Sequence, residues 1–160
     1  MFDPQAYGPE VARILALDRD SPLAPDLIRQ SALPILVRAG LYLHFARWKE
    51  AHELVDDSAI PEGCYWHAIV HRLEPDAANA AYWYRHVGDH PIFPALRERA
   101  AEAGYQSGAR WDPIAFIAYN ERARPGSEEE RIAREVRRAE WELLFDYCAR
   151  QAKLGSPAPS

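Results

Sequence analysis

The chain has 160 residues and a mass of 18.2 kDa, the size of one ordinary domain. Hydrophobic residues make up 48% and charged residues 27%, a globular balance that excludes a wholly disordered chain. Nineteen Lys and Arg against 24 Asp and Glu leave a net charge of −5, which argues against a general nucleic-acid binder, and two cysteines, Cys64 and Cys148, cannot build a disulfide framework.

Residues 1–8 lack the basic and apolar regions of a signal peptide. The longest apolar stretch, 32–46, is interrupted by Pro34, Arg38 and His44 and falls short of the roughly 18–20 residues that span a bilayer. These features predict a soluble, cytoplasmic protein with no membrane partner and reduced thiols.

The apolar spacing is helical throughout. Val11, Ile14, Leu15 and Leu17 follow Pro9-Glu10 and predict a first helix. Residues 20–25 form a breaker cluster, and a short helical turn is expected over 26–30. Residues 33–45 are apolar nearly all round, the mark of a central buried helix. A short helix over 48–56 turns Ala51, Leu54 and Val55 inward. Pro61 suits the first turn of a helix that carries Trp66, Ile69, Val70 and Leu73 on one stripe. Asp76 is placed to cap a helix over 77–87, closed by Gly88. A further helix runs from about His90-Pro91 to Ala103, with Gly104 after it. Asp112-Pro113 opens another. Ser127 and Glu130 fit a capping box at the start of a long last helix ending near Gln151. Its charge run, Glu128 to Arg138, reads as a solvated face. These elements predict an all-α single domain over 1–154, with seven or eight helices, two central antiparallel hairpins, a long C-terminal helix and a disordered tail at 155–160.

Two stretches in the middle resemble each other. Each is an apolar helix, a turn, and a second helix with alanine at its close-packing position, Ala51 in one and Ala80 in the other. This loosely resembles tetratricopeptide-type hairpins, which repeat at about 34 residues and place a small residue where helices cross. Any antiparallel helical pair also needs such a residue.

All six histidines lie between His44 and His90. The densest polar stretch is Tyr65-Trp66-His67-Ala68-Ile69-Val70-His71-Arg72-Leu73-Glu74-Pro75-Asp76. Together with Asn79-Ala80, Tyr82-Trp83, Arg85, Gly88 and His90-Pro91, it resembles a family of small, functionally uncharacterised helical proteins of bacteria and fungi. Trp111-Asp112-Pro113 and Glu140-Trp141 to Cys148 are similar as well. The resemblance covers roughly residues 35–150 and implies no activity.

His67 and His71 are four apart and share a helix face. With Trp66 at zero and about 100° per residue, His67, His71 and Glu74 fall near 100°, 140° and 80°, and the apolar stripe between about −60° and +40°. The polar trio thus flanks the core stripe, where a half-buried site between helices belongs. As a metal site it would use His67 and His71 with His52 or Glu74, a donor set suited to Zn²⁺ or Fe²⁺. The zincin motif is excluded, because Ala68 stands where its glutamate would follow the first histidine. As metal-free acid–base chemistry it would use His67 or His71 as proton carrier, with Arg72 and Arg85 gripping an anion. As plain structure, the same groups would tie neighbouring helices together.

Asn79, Trp83 and Arg85 are the candidates for contact with a bound molecule. Two functional classes follow from the sequence. One is a metal-dependent or acid–base enzyme acting on a small molecule in a His-rich inter-helix pocket, with His67, His71 and Arg72 as its reactive groups. The other is a non-catalytic, repeat-like module holding a peptide or protein partner.

Overall fold

The computed structural model describes residues 1–155; the expected disordered tail, apart from Gly155, lies outside the described residues. Among the described residues the chain is all-helical. After a short 3-10 turn at Pro4–Tyr7 come α1 (Pro9–Leu15), α2 (Ala24–Gln30), α3 (Ile35–His44), α4 (Trp48–Val55) and α5 (Pro61–Leu73). Then follow α6 (Ala77–Val87), α7 (Phe93–Ala103), α8 (Pro113–Arg122) and α9 (Glu128–Gln151).

The described residues therefore hold nine α-helices rather than seven or eight. The difference lies at 24–30, where a single turn was expected. Pro25 sits in the first turn of α2, where a missing N–H costs nothing, so a residue that breaks helices elsewhere starts this one. The other starts follow side-chain chemistry. Asp76 Oδ1 accepts from the Asn79 N–H, Asp112 Oδ1 accepts from Ile114 and Ala115, and Ser127 Oγ accepts from Glu130. At Ser127 only this half of the capping box is made: the Ser127 N–H donates to the Arg124 carbonyl, and the Glu130 carboxylate accepts from Arg134. Gly104 closes α7 with φ +115°, a left-handed conformation that side-chain-bearing residues avoid.

The central helix is α5. Its residues from Gly63 to Arg72 are all buried, whereas α3 exposes Ile35 at its start. Helices α3, α4 and α6 pack directly on α5, and α9 crosses α3 and reaches α5 through its side chains. Ala51 and Ala80 are fully buried in α4 and α6. The closest approach falls at Gly40 of α3, where an added Cβ would stand 2.8 Å from the Trp66 ring and 3.0 Å from Phe145. Trp141 of α9 donates its indole N–H to the Gly40 carbonyl at 2.8 Å.

One buried charge network joins four helices. Arg72 of α5 donates to Glu140 of α9 at 2.8 Å and to the Tyr84 hydroxyl of α6 at 2.9 Å. Tyr65 donates to the second Glu140 oxygen at 2.8 Å. The Arg72 guanidinium also lies 5.3 Å from the Phe116 ring of α8. Burial and then the Glu140 charge hold the Tyr65 hydroxyl well above its ordinary pKa, so it stays a donor.

Removing one partner of this pair strands the other charge in the core. We expect Glu140→Leu to cost about 3–5 kcal/mol. The double variant Arg72→Met/Glu140→Leu should cost less than that single change, because no charge is left unpaired. Urea denaturation of the four proteins of the cycle measures both, and a double variant weaker than Glu140→Leu would show that the pair is not the source of the loss.

Candidate metal centre

Helix α4 turns Ala51 and Val55 into the core, which leaves His52 at the edge of the buried face, with its side chain 33% exposed. It leans onto α5, where His67 and His71 stand one turn apart and are 2% and 8% exposed. The three rings converge. The His52 centroid is 4.7 Å from that of His67 and 5.5 Å from that of His71, and the latter two are 4.8 Å apart and nearly parallel. One nitrogen from each ring lies within 4.8 Å of the others, a set that could hold a metal ion.

Helix α6 supplies the wall. The Trp83 ring stacks on His67 at 4.0 Å with an interplanar angle of 19°. Burial, followed by the neighbouring His52 and His71, pushes the His67 pKa down to about 4, with Asp56 opposing weakly. At neutral pH this imidazole is therefore uncharged, the state in which a ring nitrogen offers a lone pair to a metal. His67 Nδ1 and His71 Nδ1 are both buried without a hydrogen-bond partner. Two carboxylates stand behind the rings: Asp56 is 3.7 Å from His52 Nε2, and Glu74 is 3.2 Å from His71 Nδ1. Glu74 and Asp76 form a second three-residue group with His71.

The remaining sequence candidates fall elsewhere. Arg72 follows His71 directly, but its helical position turns it away from the histidines and into the Glu140 network, where it is 8% exposed. It is therefore a buried structural cation and not the anion-gripping or reactive group expected. Asn79 is exposed and spends its side chain on Asp76 at the start of α6. Arg85 is exposed on α6. Of the three expected contact residues, only Trp83 touches a cluster histidine.

The other histidines do separate work. His90 Nδ1 accepts from the Ile92 N–H while Nε2 meets Glu62 at 2.9 Å, so it ties the start of α7 to the start of α5. His86 packs on Tyr82 at the surface, and His44 packs on Trp141. Both thiols are buried, and burial pushes the Cys148 pKa up to about 12.

Two acidic residues were missed by the sequence reading. Asp56 is four residues after His52, a spacing that was available. Glu140 sits between Val136 and Leu144 on the inward stripe of α9, but its surrounding charges conceal it. Clefts of about 870, 590, 310 and 300 Å³ are lined by other residues. The histidines form a half-buried cluster at the α4–α5–α6 junction. No helix of the described residues is long and apolar enough to cross a membrane.

Comparison with protein-family models, curated proteins and solved structures returns no match.

His44 provides a test of burial as the cause of these low pKa values. Burial and then the Arg19 charge hold its pKa down to about 4 from 6.5. As pH falls from 6.5 to 4, the unfolded chain takes up a proton that the folded chain refuses, so stability is lost across that window and levels off below it. The melting temperature of wild type relative to His44→Gln should therefore fall on acidification through this range. A difference independent of pH would reject the assignment.

Proposed function

We propose that this chain is a metal-dependent protein whose centre, His52, His67 and His71, holds a divalent zinc or ferrous ion and acts on a small molecule. The observation that carries this is the convergence of three imidazole nitrogens, from two helices, within 4.8 Å of one another. Three imidazoles have little reason to be gathered at the edge of a core for packing alone, since each brings polar atoms that must be satisfied.

The chain supplies what such a centre needs. Three protein nitrogens leave further coordination positions for water or substrate. The partly exposed His52 marks the open side, and the buried His67 and His71 the closed one. Stacking by Trp83 fixes the plane of His67. Asp56 stands beside His52 and Glu74 beside His71, near enough that a small shift would let each carboxylate accept the ring N–H, orient the ring and raise its basicity. An ion held this way supplies a Lewis acid for activating water or polarising a small substrate. Trp83 then forms the apolar wall against which that molecule would rest.

Elemental analysis of tag-free protein purified without added metal tests this. Wild type should carry at least one equivalent of zinc or iron per chain, and His67→Ala/His71→Ala should lose it. For a loosely held ion, added Zn²⁺ or Fe²⁺ at 100 times its Kd should stabilise the fold by about 2.7 kcal/mol. Metal-free wild type with no shift in melting temperature on adding either ion would overturn the proposal.

A further inference from the structure

A second group adjoins the triad at the end of α5. His71, Glu74 and Asp76 bring one nitrogen and two carboxylates within 4.8 Å of one another. The chain path sets this up. After α5 the Asp76 N–H donates back to the His71 carbonyl at 2.6 Å, which folds Asp76 beside His71. Both Asp76 oxygens accept from Asn79, one from its backbone and one from its side chain. Each carboxylate oxygen has about two acceptor positions, so both keep capacity for a cation.

The independent sign of a missing ligand is His71 itself. It is 8% exposed, and its Nδ1 lies 3.2 Å from a Glu74 oxygen without hydrogen-bond geometry. That nitrogen is buried and has no hydrogen-bond partner. Folded proteins seldom leave such an atom unmatched, and a cation between nitrogen and carboxylate would satisfy both.

We propose that His71, Glu74 and Asp76 form a second divalent-cation site beside the histidine triad, the two sites sharing His71. The sharing rests on the proposed triad centre; the acidic site does not. Its mixed imidazole and carboxylate donors suit zinc and also harder ions such as Mn²⁺, while the all-nitrogen triad suits zinc or iron. To serve both ions, His71 uses one ring nitrogen for each, and its ring N–H proton leaves to solvent when the second ion binds.

Equilibrium dialysis of the full chain against Zn²⁺, with bound metal counted per chain, tests the site. The variants are Glu74→Gln/Asp76→Asn, which keeps side-chain size and a capping residue at 76, and His52→Ala/His67→Ala. Circular dichroism checks that each is folded. Two equivalents are expected in wild type and one in Glu74→Gln/Asp76→Asn. One equivalent in wild type that is lost in Glu74→Gln/Asp76→Asn and kept in His52→Ala/His67→Ala would support the acidic site and overturn the triad. One equivalent unaffected by Glu74→Gln/Asp76→Asn, one equivalent weakened by both pairs, or none at all, would overturn the second site.

Discussion

A guanidinium buried in the core governs the rest of this structure. Arg72 is held out of water by Glu140 and Tyr84, and neither it nor Glu140 can be moved without stranding a charge. The pair fixes the rotation of α5 about its own axis, because only one face of that helix can meet α9. His71 is the next residue back along the chain, about 100° around the helix. With Arg72 committed to α6 and α9, His71 has to emerge beside α4, and His67 emerges one turn earlier on the same side. The charged pair, far from being part of the site, sets where the site lies.

The same constraint explains the chemistry of the cluster. The salt bridge and its two tyrosines are closed on themselves, with donors and acceptors matched except for Arg72 Nε. The histidines across the helix are the reverse case. Their rings are close, two of their nitrogens are buried and unmatched, and carboxylates stand near without completing hydrogen bonds to them. One side of α5 is saturated structure, and the other has coordination capacity to spare. Surface ion pairs along α9, such as Arg134 with Glu130, belong to neither class, since exposed pairs contribute little.

Much of the fold was legible in the residues. Helical periodicity, Pro61 and Pro113 in first turns, and the caps Asp76, Asp112 and Ser127 act over a few residues, and the structure uses them as the sequence suggests. Pro25 misled because proline breaks a helix interior but suits its start, and only the packing of Ala24 and Ile28 makes a helix there worthwhile. Of the site, the shared face of His67, His71 and Glu74 was legible from spacing. The role of Arg72 was not, because its partner Glu140 lies 68 residues away, just past a run of charges that resembles a solvated face.

The sequence by itself determined an all-helical chain, most of its helix ends and the clustering of histidine on neighbouring segments, because those depend on local geometry and hydrogen bonding. The tertiary structure decided which helix is central and which histidines meet: His52 joins His67 and His71, while His44, His86 and His90 are drawn to other partners. It also decided that Arg72 is part of the core. Those outcomes depend on how whole helices rotate and pack to bury charge and aromatic surface together, and no single segment carries that information.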